Sequence, residues 1–185
     1  MSNFKDFPNK KYNIIYADPA WSFKNFSKKG ENRNPNQHYE TQSIDWIKSL
    51  PVNDIADTHC VLFLWVVNHS LPLAFEVIES WGFTYKTMGF VWAKKNMKSE
   101  GFFTGLGYWT RGNPELCLLA TKGKPKRCSK KVAKTIMARA TIHSKKPKII
   151  KDKIVELCGD LPRIELFARN VGLFSNNWDY WGNQV

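Results

Sequence analysis

YNIIYADPAW, residues Tyr12 to Trp21, joins a short apolar run to an acid, a proline and a tryptophan. Tyr12–Ala17 is β-branched and aromatic, the composition of a buried strand. A polar stretch rich in Asn, Lys and Gly follows from Ser22 to Gln42. A loop of that length is uncommon unless it binds something or is disordered. Asp18, Pro19, Ala20 and Trp21 thus stand where a strand ends and a long loop or lid begins.

The rest of the chain alternates strand and helix patterns. Ser43 can cap a short helix reaching Leu50, and His59–Val67 (HCVLFLWVV) is a continuous apolar run suited to a strand covered on both faces. An amphipathic helix follows, with Ser70 as N-cap, Pro72 in its first turn and Gly82 as its stop. Lys86–Ala93 and Glu115–Thr121 read as strands separated by the glycine-rich loop GFFTGLGYWTRGNP. A second helix from about Pro147 stops at Gly159, and Arg163–Ala168 (RIELFA) is the last strong strand. Strands interleaved with crossovers predict one α/β domain over residues 1–185, a three-layer fold around a mainly parallel sheet. Ligands of such sheets bind at the carboxyl ends of the strands, so Asp18–Trp21 should face the crevice.

At 185 residues the chain can bury a single sizeable core. Cys60, Cys117, Cys128 and Cys158 are scattered, without metal-ligand spacing, and neither disulfides nor a structural zinc site is expected. His38, His59, His69 and His143 read as surface or core residues. The N-terminal segment lacks an apolar signal core and no apolar run is long enough to span a membrane, which predicts a cytoplasmic protein. Between Lys122 and Lys153 lie thirteen basic residues and one acid, so this segment carries the whole net charge of +12. Such a segment, including Lys126, Arg127, Lys130 and Lys131, is the electrostatic footprint of a polyanion. A solvated lysine-rich loop would give the same count.

The strand end offers a particular chemistry. The Asp18 carboxylate and the Pro19 carbonyl both accept hydrogen bonds, and Trp21 offers a π-face. An exocyclic amine on adenine is a poor nucleophile because its lone pair is delocalised into the ring. Two acceptors on its N–H bonds pull the nitrogen toward tetrahedral geometry, and the acid compensates the positive charge that develops. Stacking on an aromatic ring helps offset the cost of unstacking the base. A plain turn with a core tryptophan has the same four residues.

Further blocks narrow the choice. YADPAW, HYET, LFLWV, GFVWAKKN, ELCLLATKGKP, HSKKP, RIELFAR and WGNQ, in that order, resemble the adenine amino-methyltransferases named for the seventy-kilodalton subunit of the eukaryotic mRNA adenosine methyltransferase. That family includes bacterial and phage DNA enzymes, and the resemblance runs from Tyr12 to Gln184. It implies a permuted Rossmann-like methyltransferase sheet and S-adenosylmethionine as cofactor, with S-adenosylhomocysteine as product; separately, the lack of a His/Cys/Asp cluster in the sequence predicts no metal. By the same resemblance Asp18, Pro19 and Trp21 form the catalytic motif, with Asp18 near the methionine end of the cofactor. Lys146 contacts the cofactor's carboxylate, and Arg169, Asn170, Asn183 and Gln184 hold its ribose and adenine. Tyr39 belongs to the target-base pocket. Trp65 and Trp92 end strands beside that pocket, Trp92 as a candidate base contact, though both also read as core. Glu115 is a partner for Lys146 or a carboxylate paired elsewhere. Ala20 departs from the family, which has a second proline there.

The strand RIELFARN lacks a glycine-rich phosphate turn, which argues against NAD or ATP and suits a cofactor without phosphates. Adenine in DNA is the favoured substrate, on the resemblance of this compact chain to stand-alone members. The alternatives are the same reaction on RNA and a silent nucleic-acid-binding subunit. The family also implies that a homodimer or a paired subunit is a plausible assembly.

Overall fold

The computed structural model describes residues 4, 6–21, 42–140, 145–168 and 177–182. Tyr39, Arg169, Asn170, Asn183, Gln184 and the loop from Ser22 to Thr41 lie outside the described residues.

Among the described residues, seven strands and four α-helices follow one another in the order β1 (Tyr12–Ala17), α1 (Ile44–Ser49), α2 (Val52–Ile55), β2 (Ala56–Val66), α3 (Leu71–Ser80), β3 (Thr84–Lys95), β4 (Glu115–Lys122), β5 (Thr135–Arg139), α4 (Ile149–Cys158), β6 (Arg163–Leu166) and β7 (Asp179–Trp181). They form one sheet in the order β5-β3-β4-β2-β1-β6-β7. This is a mixed α/β fold, with the Rossmann-like sheet that the sequence resemblance leads one to expect. Six strands run in one direction, and β4 alone runs against both its neighbours, β2 and β3.

The first strand lies near the middle of the sheet. β1 pairs with β2 on one side and β6 on the other, with Ala17 opposite both Leu64 and Leu166. Its interior position explains the near-continuous apolar run: Ile14, Ile15 and Ala17 have no exposed surface. One face of the sheet packs Ile15, Leu62 and Leu64 against Ile47, Ala74, Val77, Ile78 and Trp81 of the α1–α3 side. The other packs Ile14, Phe63 and Trp65 with Ile150, Ile154 and Cys158 of α4 and with Trp178.

Local signals account for the helix ends. The Ser43 hydroxyl accepts a hydrogen bond from Trp46 N at 3.2 Å, capping α1. Gly159 ends α4 at φ +91°, a conformation that costs glycine little. Ser70 precedes α3 as expected, but its hydroxyl makes no capping bond and is buried without a partner.

Two strands go beyond the sequence reading. β5 lies inside the basic segment, and β7 is only three residues long. The antiparallel β4 is the other departure from simple crossovers. It follows from the return of the chain after β3, and it carries Glu115 to the edge of the sheet where β1, β2 and β3 end.

Candidate active site

Asp18 is the first residue past β1, and the backbone turns sharply there. Trp21 N donates to Pro19 O at 2.9 Å, an i to i+2 bond that closes a γ-turn centred on Ala20. Because a carbonyl oxygen has two lone pairs, Pro19 keeps acceptor capacity.

Trp21 is 6% exposed and packs with the core on the α1–α3 side. Its indole N–H donates to Trp65 O at 2.9 Å. Trp65 in turn donates its indole N–H to the Tyr16 hydroxyl at 2.8 Å and lies under Lys146, whose Nζ is 5.3 Å from the ring centre. The strand end is thus braced on both faces, by Trp21 on the α1–α3 side and by Trp65 and Tyr16 on the α4 side.

Above them runs a chain of alternating charges. Lys146 Nζ lies 2.6 Å from Asp18 Oδ2 and 3.2 Å from Glu115 Oε2, and Lys94 Nζ lies 2.8 Å from Glu115 Oε1. The four side chains come from the end of β1, the start of β4, the end of β3 and the segment before α4. Asp18 is the most open, at 26% side-chain exposure against 11% for Lys146 and 17% for Glu115. The carboxylate that faces outward is therefore the one on the Asp-Pro-x-Trp turn.

Burial and charge compete here. Burial alone would lower the pKa of Lys146, but the carboxylates of Asp18 and then Glu115 reverse this and raise it. Burial likewise pushes Glu115 up, and the ammonium groups of Lys146 and Lys94 outweigh it, holding the carboxyl below its ordinary range. Lys146 and Glu115 therefore both stay ionised at neutral pH. Beside it, burial raises the Tyr16 hydroxyl and the Cys117 thiol well above their ordinary values, so both are neutral. Glu165 is raised by burial despite its ion pair with Lys151.

Lys94 is the member of this network that sequence reasoning missed. The signal was the charged pair Lys94-Lys95 closing an otherwise apolar strand. Asn113 fixes its backbone, accepting from Lys94 N and donating to Lys94 O at 2.9 Å each. Trp92 is 3% exposed, donates its indole N–H to Ala138 O at 3.1 Å and lies under Lys94.

The basic segment divides in two. Lys126, Arg127, Lys130 and Lys131 are exposed on the connection between β4 and β5. Others are spent inside the molecule: Lys122 donates to Asn53, Arg139 pairs with Glu100, Lys151 with Glu165 and Lys153 with Glu156. Among the described residues no cluster of His, Cys, Asp and Glu is placed to hold a metal ion, and no helix is long and apolar enough to cross a membrane.

The MT-A70 family profile matches residues 12–184. The chain belongs to the MT-A70 family. It is 32% identical to the type II methyltransferase M.MunI of Mycoplasma sp, over 98% of this chain and 81% of that protein. It is 28% identical to a putative N(6)-adenosine-methyltransferase MT-A70-like of Medicago truncatula and 27% identical to the human N(6)-adenine-specific methyltransferase METTL4. Each of these two matches covers 95% of this chain, but only 26% of the plant protein and 38% of the human one. Membership of this methyltransferase family implies the use of S-adenosylmethionine.

Proposed function

We propose that this chain methylates the exocyclic N6 amine of adenine in DNA. The observation that carries this reading is the half-open Asp18 carboxylate at the end of a central strand, held by Lys146 beside the Pro19 carbonyl.

The residues fit the methionine end of S-adenosylmethionine. That end carries a carboxylate and an ammonium group; Lys146, on the segment before α4, suits the first and the Asp18 carboxylate, past the end of β1, the second. Arg169, Asn170, Asn183 and Gln184 are proposed to hold the ribose and adenine. When bound, the cofactor supplies an electrophilic methyl group and leaves as S-adenosylhomocysteine. The protein's part is to prepare the amine. Asp18 and Pro19 O accept its two N–H bonds, which frees the nitrogen lone pair and stabilises the positive charge that grows on it. The surplus proton leaves through Asp18 or to water. Tyr39 and Trp92 are proposed for the target-base side. The buried Trp21 supports the Asp18 turn through Trp65, so its contribution to the pocket is rigidity as well as surface.

One feature favours DNA over RNA, and a second favours a nucleic acid of either kind. The chain spans 81% of a type II methyltransferase, yet only 26% of a plant adenosine methyltransferase. The exposed Lys126, Arg127, Lys130 and Lys131 suit a phosphate backbone.

Incubation with tritiated S-adenosylmethionine and duplex DNA, single-stranded DNA or RNA tests the proposal. Label in N6-methyladenine of DNA supports it. Label in RNA alone overturns the substrate, and no label despite cofactor binding overturns the enzyme.

A further inference from the structure

Between β3 and β4 the chain leaves the sheet and folds back as a small hairpin. Gly105 N donates to Gly112 O at 2.7 Å, and the two residues form an antiparallel bridge. A Cβ on Gly112 would lie 2.8 Å from Leu106 O, and one on Gly107 would collide with Thr110 O. The crossing therefore admits only glycine at these positions.

This tight base displays an apolar tip. Leu106, Tyr108 and Trp109 are 61%, 79% and 89% exposed, and Trp109 holds φ +65°, which a bulky residue rarely adopts. Phe102 and Phe103 continue the apolar surface back toward the sheet. Exposed patches of this kind mark interaction sites.

The hairpin is tied to the Asp18 site. Asn113 grips Lys94 and also donates to Phe103 O, while Lys94 lies over the Phe103 ring and bonds Glu115. Beyond the Lys94–Glu115 pair, the stretch from Lys95 to Pro114 carries three basic residues, Lys95, Lys98 and Arg111, against one acid, Glu100, which itself pairs with Arg139. A polyanion complements that charge. Two copies packed about a two-fold axis would instead set like charges against each other.

We propose that the hairpin tip is a stacking wedge for duplex DNA, with Trp109 filling the gap left by the extruded adenine and Tyr108 contacting a neighbouring base. This rests on the function proposed above. Drawing a base out of a duplex costs unstacking and unpairing, and an inserted ring offsets part of that cost. On a single strand there is no paired stack to replace, so the wedge contributes little.

Trp109→Ala is tested by methyl transfer to duplex and single-stranded oligonucleotides of one sequence, with cofactor affinity and sedimentation as controls. The duplex kcat/KM should fall about tenfold or more, and the single-strand value less than about threefold. Trp109→Phe should restore most of the duplex rate. Unchanged duplex transfer, equal losses on both substrates, or a loss that follows dissociation of a dimer overturns the wedge. The tryptophan emission lost in Trp109→Phe should be quenched in the wild type by duplex DNA even without turnover. That signal separates failure of the wedge from failure of the proposed reaction, and its absence also overturns the wedge.

Discussion

Lys146 Nζ sits 2.6 Å from Asp18 Oδ2, an ion pair between residues 128 positions apart. The pair ties the turn after β1 to the segment leading into α4. Lys146→Met leaves Asp18 and Glu115 without their shared cation, and should cost about 3 kcal/mol of stability. Urea denaturation at pH 7 checks this, and an unchanged midpoint would refute the structural role.

Asp18→Ala removes the outward carboxylate while Glu115 still partners Lys146. Methyl transfer should fall by at least about 100-fold, with the circular dichroism spectrum unchanged. Retained turnover would remove Asp18 from the catalytic assignment.

The ion network also sets pH limits. Glu115 is held below its ordinary value of 4.5, so its contribution is complete above that value and is lost as pH falls through the lowered one. Lys146 is raised above 10.5, so its contribution is complete below that value and is lost as pH rises further. Thermal melts of wild type and Glu115→Gln should differ most near neutrality and converge on acidification. A gap that stays constant down to pH 3 would contradict the ionic origin.

Ala20 sits at the centre of a γ-turn, whose common inverse form has a central φ near about −75°, within the range of proline. Ala20 is not among the residues with positive φ. Ala20→Pro should therefore stabilise the protein by about 0.4–1 kcal/mol by restricting the unfolded chain. A lowered melting temperature would show that the turn needs the freedom alanine gives it.

Neutralising Lys126, Arg127, Lys130 and Lys131 should weaken DNA binding and flatten its salt dependence by about 0.9 for each lost phosphate contact. Titrations at several salt concentrations measure the slope. An unaltered slope would mark the segment as a solvated loop.

Much of this architecture is legible in the sequence where local chemistry and tertiary role agree. β1 appears at its own residues because both faces are buried, and Ser43 announces α1 because its hydroxyl caps the helix. β5 was hidden: Thr135, Met137 and Arg139 are exposed and only Ile136 is buried, so an edge strand looked like part of a charged run. The reversal of β4 left no mark, since a strand between two neighbours is apolar in either direction. At the site, the resemblance marks Asp18 and Lys146, but the ion pair between them is visible only in the fold. Lys94 is not marked, because its role depends on which strand lies beside Glu115. Trp21 shows the same limit: its position was readable, but the burial of its ring in the α1–α3 core and its bond to the Trp65 carbonyl depend on the turn.

The placement of β1 also governs when the protein becomes competent. Residues 12–17 are made well before Arg163–Leu166, yet β1 needs that strand, β6, along one side, and Asp18 needs Lys146. At about 5–20 residues per second, the ribosome leaves that first strand waiting on the order of ten seconds for its neighbour. Until then an apolar strand keeps one edge open, the exposure that chaperones and aggregation compete for. A product truncated before Arg163 would keep that open edge permanently and lack the strand that frames Asp18.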